Sequence, residues 1–233
     1  MSVLKLKNII KTYSTKKVLD GIDLTIEEGE VFGLIGLNGA GKTTIIKTIL
    51  NLIDQDSGSV ELVGKDSKVC DSRENIFYLP EKFQPPQQLK VVEFIEIFSK
   101  KFDINKVKEL CEVLDLDKNV LNKKIGSLSK GMSQKVGLIT SFMDDKKLII
   151  LDEPMSGLDP KARMNLKNLL MNYRKSGNSI FFSSHILSDI DEICDRVAVL
   201  NGGVIQFVGT PADLKKKFNT VLLEEAFLKE IEN

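Results

Sequence analysis

A chain of 233 residues, 42% hydrophobic and 28% charged, has the make-up of a globular protein with enough length to bury a substantial core. Lys+Arg and Asp+Glu both number 33, which excludes the basic excess of a general nucleic-acid binder. Cys70, Cys111 and Cys194 stand far apart with no CxxC pair, so neither a thiolate zinc site nor a disulfide framework is expected, and a reducing compartment fits.

The opening MSVLKLKNIIKTY has lysines within every apolar stretch and lacks the form of a signal peptide. No segment approaches the roughly 18 apolar residues of a membrane helix. A soluble chain is expected, one that can still sit on a membrane partner. Residues 3–10 partly alternate like a strand, and Val18–Ile26 follows with strand character. Val31–Gly36 is an apolar run ending in a Gly-rich loop, a buried strand, and Thr43–Ile53 reads as a helix. Ser59–Val63 and Ile76–Leu79 read as short strands.

From about residue 84 to 144 the pattern becomes helical, with helices predicted over Val92–Phe102, Asn105–Leu114 and Ser129–Met143. Strands return at Lys147–Leu151, Ser179–Ser183, Val197–Leu200 and Val204–Val208, with helices at Lys161–Lys175 and about Ile186–Cys194. This alternation predicts a mostly parallel sheet covered by helices on both faces. Thr210-Pro211-Ala212-Asp213 is a capping-box sequence opening a short basic helix, Ala212–Phe218, and Leu222–Ile231 closes the chain. The Lys215-Lys216-Lys217 run reads as a solvated face.

Residues 36–43, Gly-Leu-Asn-Gly-Ala-Gly-Lys-Thr, fit G-x-x-x-x-G-K-[ST] between a strand and a helix. Backbone N–H groups of Gly36, Asn38, Gly39, Ala40 and Gly41 can curl around phosphate oxygens, and the helix that continues through Thr44 adds its positive end. Lys42 can reach the β- and γ-phosphates, and the Thr43 hydroxyl can bind Mg²⁺. A nucleotide with Mg²⁺ is therefore the expected ligand. The apolar strand 148–151 ends in Asp152-Glu153-Pro154. Strands of such a sheet end near one another, so Asp152 is expected close to the phosphate loop as a Mg²⁺ ligand. Glu153 is then placed to orient or deprotonate an attacking water.

These motifs, in their order and spacing, resemble the ATP-binding subunit of an ABC transporter, and the resemblance covers nearly the whole chain. Leu128-Ser129-Lys130-Gly131-Met132 resembles that family's LSGGQ signature, Ser156-Gly157-Leu158-Asp159 its D-loop, and His185 in SSHIL its switch histidine. Lys130 stands where the signature has glycine and Met132 where it has glutamine. Tyr78-Leu79-Pro80-Glu81 occupies the place of the Q-loop, with Glu81 as the candidate ligand for metal or water. Tyr13 resembles the aromatic residue that stacks on adenine. A serine at a helix start is also an ordinary N-cap, as is Asp159 before Pro160. Gln134 and Lys135, next on the signature helix, carry no assigned chemistry.

The resemblance implies an α/β P-loop NTPase fold with a mostly parallel sheet, an antiparallel β-subdomain and a helical subdomain insertion. Residues 1–233 would form one ATP-binding domain, with 84–144 inserted and 210–233 a helical tail. It implies a catalytic set of Glu153, His185 and Lys42. It also implies a homodimer, or a pair with a related subunit, in which Ser129 and Gly131 act on nucleotide held by the partner. The implied function is Mg-dependent ATP hydrolysis powering transport, by analogy export, through a separate transmembrane permease, with no nucleic-acid partner. That places the chain in the cytoplasm, peripheral on the membrane. The alternative is a regulatory ABC-type ATPase not coupled to transport. A ribosome-acting member would carry a second phosphate loop on the chain. A DNA-repair member would have a long coiled coil before the signature, and a small-molecule kinase would leave the signature and His185 without purpose. Phe83, Pro85, Pro86, Leu89, Phe94, Ile97 and Phe98 form the apolar surface expected to meet a permease helix.

Overall fold

The computed structural model describes residues 1–69 and 73–232; Cys70 and Asn233 lie outside the described residues. β1 (Ser2–Tyr13), β2 (Lys16–Glu27), β4 (Ser57–Leu62) and β5 (Lys65–Asp66) form an antiparallel sheet in the order β2-β1-β4-β5. The second sheet contains β3 (Val31–Ile35), β6 (Ile76–Leu79), β7 (Leu148–Asp152), β8 (Ser179–Ser184), β9 (Arg196–Asn201) and β10 (Val204–Gly209). Its order is β10-β9-β3-β8-β7-β6, with only the β9–β10 pair antiparallel. The two-sheet architecture and the helical insertion agree with the expected fold class.

Burial explains the sheet's composition. β3, β7 and β8 are buried at every residue, as strands covered on both faces must be. Alternate side chains then enter different cores. Phe32, Leu34, Leu148, Ile150, Phe181, Ala198 and Leu200 face the antiparallel sheet and helix α1 (Lys42–Ile49). Val31, Ile35, Ile149, Leu151, Ile180, Phe182, Val197 and Val199 face the other helices. These include α2 (Val91–Phe98), α3 (Ile104–Val113) and α4 (Lys130–Ser141) of the insertion. α5 (Pro160–Lys175), α6 (Leu187–Ile193), α7 (Pro211–Lys217) and α8 (Leu223–Glu232) follow.

α1 and α2 each end four residues before the sequence pattern predicts. α1 ends at Ile49 because Asn51 turns left-handed, φ 52°, and Leu52 N–H returns to the Lys47 carbonyl at 2.9 Å. α2 stops at Phe98 instead of reaching Phe102. The next free amides, of Lys100 and Lys101, donate to the Asp144 carboxylate at 3.1 and 3.2 Å. A side chain distant in sequence thus replaces the helical acceptors. Burial pushes the Asp144 carboxyl up, but these two N–H bonds and Lys146 outweigh it and hold it below its ordinary 3.8. Asp144→Ala would leave both amides without that acceptor and is expected to cost about 1–3 kcal/mol in urea unfolding.

The capping residues behave as their sequence context requires. Asp159 Oδ1 accepts from Ala162 N–H at 2.9 Å, and Ser129 Oγ from Met132 N–H at 3.3 Å. Thr210 and Asp213 form the reciprocal capping box at the start of α7.

Candidate functional site

All the parallel strands end at one edge, and register decides which residues meet there. Ile35 pairs with Ser184, Asp152 with Ser183, and Leu79 with Leu151. The loop after β3, the acids after β7, His185 after β8 and Glu81 after β6 therefore share one edge. Between them lies a cavity of about 310 Å³, lined by Asn38, Gly39, Gly41, Lys42, Thr43, Thr44, Glu81, Asp152, Glu153 and His185. Val18, Leu37 and Ser156 complete the lining.

Gly41 is the N-cap of α1, at φ 115°, and no side chain caps that helix. The same backbone angle is closed to ordinary L-residues, and a Cβ there would lie 3.1 Å from the Val18 carbonyl. Lys42 is buried to 8% exposure, with its ammonium donating to the Gly36 carbonyl at 2.7 Å. A cation thus sits within the loop itself, at the uncapped start of a helix. That combination attracts anions.

Thr43 Oγ1 donates to Asp152 Oδ2 at 3.3 Å, and Ser183 Oγ donates to Asp152 Oδ1. Asp152 is 3% exposed. Burial raises its carboxyl above the ordinary 3.8, against the opposing bonds from Ser183 and Thr43. A desolvated carboxylate beside a hydroxyl suits a small hard cation. No group of three or more His, Cys, Asp or Glu arranged to hold a metal occurs among the described residues. The donor set fits an ion that keeps waters and takes its other oxygens from a phosphate.

Glu153 is 7% exposed and takes φ 53°, an uncommon angle for a side chain of its size. Its N–H reaches the Ser183 carbonyl at 3.2 Å, and Ser156 N–H donates to its carbonyl at 3.1 Å. These bonds turn the chain so that Glu153 joins the cavity wall next to Asp152. Its Oε2 lies 2.7 Å from His185 Nδ1. Burial raises the Glu153 carboxyl, with His185 and Lys42 opposing. His185 is itself largely exposed, so the pair joins an inner carboxylate to an outer ring.

Other sequence candidates lie elsewhere. Tyr13 is 45% exposed at the end of β1, under the Lys11 ammonium at 5.4 Å, and does not line this cavity. Ser129 and Gly131 stand at the start of α4, also outside it. Ser183, which holds both Asp152 and the Glu153 amide, is a further residue of this site. A serine inside the run SIFFSS carries no motif, and only strand pairing reveals its neighbour.

The geometry can be set beside known proteins. A family model described as ABC transporter matches residues 19–156. An uncharacterized ABC transporter ATP-binding protein of Synechocystis is 33% identical over 227 residues. That match covers 89% of this chain and 64% of the relative, so the chain spans somewhat under two thirds of that relative's length. A Nod factor export ATP-binding protein I of Burkholderia lata is 32% identical, over 84% of this chain and 67% of the relative. A solved structure of an ATP-binding subunit of an ABC transporter superposes with a TM-score of 0.90 at 28% identity, covering 98% of this chain and 99% of that one. With the motifs, the superposition and a family match across more than half its length all in agreement, this chain belongs to the ABC transporter family as one of its ATP-binding proteins.

Proposed function

We propose that the chain hydrolyses ATP, with Mg²⁺, to drive transport through a separate membrane subunit, in the direction of export. The convergence of Lys42, Thr43, Asp152, Glu153 and His185 on one cavity carries this reading. Lys42 takes the β- and γ-phosphates in place of its present carbonyl partners. Gly36, Asn38, Gly39, Ala40, Gly41 and Thr44 belong to the loop and helix start that surround them. Thr43 and Asp152 hold Mg²⁺, with Glu81 at the cavity rim as a further oxygen donor to metal or water. When bound, the ion neutralises charge building on the phosphate oxygens. Glu153 accepts the proton of the attacking water, and His185 fixes the carboxylate's position relative to the γ-phosphate. Tyr13 offers an exposed ring for stacking on the base.

Export is supported by the likeness to the Nod factor export protein. Among the described residues no helix is long and apolar enough to cross a membrane, so this reading assigns the crossing to a permease. Its docking surface lies beside Glu81. Phe83 meets Phe94 edge-on at 5.8 Å, and Phe94 meets Phe98 at 4.7 Å. Phe94 belongs to the core and Pro85 is buried, whereas Ile97 and Phe98 are 64% and 53% exposed. Residues 83–86 are not helical, and Leu89 is half-buried. Cysteines placed at 83–90 should crosslink to a co-purified membrane subunit. Crosslinks confined to the α7–α8 face would refute this docking site.

Two copies packed head to tail would place Ser129 and Gly131 of each over the phosphate held by the other. A Ser129→Arg chain mixed with a Lys42→Ala chain then forms hybrid dimers with one site carrying both defects and one carrying neither. ATPase activity is expected to reappear on mixing two inactive preparations. Mixtures as inactive as their components would count against composite sites.

A further inference from the structure

Lys135 has no place in the chemistry above, yet its ammonium is held at a junction of three elements. The residue is 8% exposed on α4. Its Nζ donates to the Asp115 carbonyl at 3.0 Å and lies 3.5 Å from Asp159 Oδ2. Asp115 follows the end of α3 at φ 54°, and its carboxylate takes the Lys161 ammonium at 2.9 Å. Asp159 divides its two oxygens, Oδ1 capping α5 and Oδ2 meeting Lys135. One turn away on α4, the backbones come close as well. A Cβ on Gly131 would come within 3.3 Å of the Gly157 carbonyl. The start of α4 and the loop 156–159 are thus joined twice, by close backbone approach and by a shielded charge.

We propose that Lys135 is a positioning residue that locks the Ser129–Gly131 helix start and the 156–159 loop into one body, so that both meet a second copy of the chain as a single surface. The inference rests on the head-to-tail reading above. Its physical content is that a nearly buried lysine loses side-chain freedom and desolvates only where geometry satisfies it. Here two acceptors from different elements do so. Without the ammonium, the loop and the helix start can shift independently, and dimerisation must order both.

The test uses Glu153→Gln protein with ATP and Mg²⁺, reading the dimer dissociation constant by sedimentation and ATP affinity on the dilute monomer. Lys135→Met keeps the apolar stem and is expected to weaken the dimer about tenfold with monomer ATP affinity unchanged, while Lys135→Arg stays within about twofold of the parent. Asp159→Ser keeps a capping oxygen for α5 and removes the carboxylate, so it should weaken the dimer too, and the double variant should be no worse than either single one. A dimer unaffected by Lys135→Met, or single effects that add in the double variant, would overturn the inference. Should Lys135→Met not fold, a normal Asp159→Ser dimer overturns it equally. Ser129→Arg in the same assay separates the two readings. If it leaves the dimer intact, the head-to-tail arrangement itself fails. If it abolishes the dimer while Lys135→Met does not, only the role of Lys135 fails.

Discussion

Replacing Glu153 by glutamine is expected to lower ATP turnover by about a hundredfold or more while leaving ATP affinity within a few-fold. The amide preserves volume and can still contact His185, so the cavity wall should keep its form. What it loses is the basicity of the carboxylate proposed to take a proton from water. Glu153 is suited to that task by its surroundings: burial raises its carboxyl, and His185 at 2.7 Å restrains its orientation. Single-turnover hydrolysis separates this from a binding defect, because saturating ATP restores a weakened site but cannot restore a missing base. Turnover in Glu153→Gln equal to that of the parent would remove Glu153 from the mechanism and shift the search to Glu81 or His185.

The second large effect concerns the layer beneath the site. Phe181 is fully buried in β8, with its ring 6.2 Å from that of Phe32 on β3. Both lie in the core shared by the central sheet, α1 and the antiparallel sheet. Phe181→Ala is expected to cost about 3–5 kcal/mol in denaturant unfolding. That is a large share of the roughly 5–15 kcal/mol typical of a folded domain. The position also connects stability to function. β8 carries Ser183, which holds Asp152, and delivers His185 to the cavity. A cavity under β8 should therefore loosen the site before global unfolding, seen as weakened ATP binding below the melting transition. Loss below about 1 kcal/mol would mean that the strands collapse to fill the space.

Much of this was legible in the sequence because it depends on local rules. The strand–loop–helix around residues 31–49 combines a buried apolar run, glycines and a lysine at a helix start, and strand, loop and helix form in that order, the helix ending four residues before the expected Ile53. Asp159 before Pro160 and the 210–213 box are short-range caps whose partners lie within three residues. The edge at which the acids, the phosphate loop and His185 converge followed from parallel-sheet logic, since parallel strands end on one side.

Other features are set by contacts between distant segments, and no window of sequence contains them. The end of α2 depends on Asp144, 44 residues from Lys100. Ser183 acquires its role only because β8 pairs with β7 in the register that sets it opposite Asp152. Lys135, an unremarkable residue on a helix, becomes a junction because α3 and α5 bring a carbonyl and a carboxylate to it. Sequence alone determined the residue types that the site requires and the fold that gathers them. Tertiary structure decided which backbone and side-chain groups satisfy the buried charges, because those pairings depend on register and helix packing across the chain, not on the spacing of residues along it.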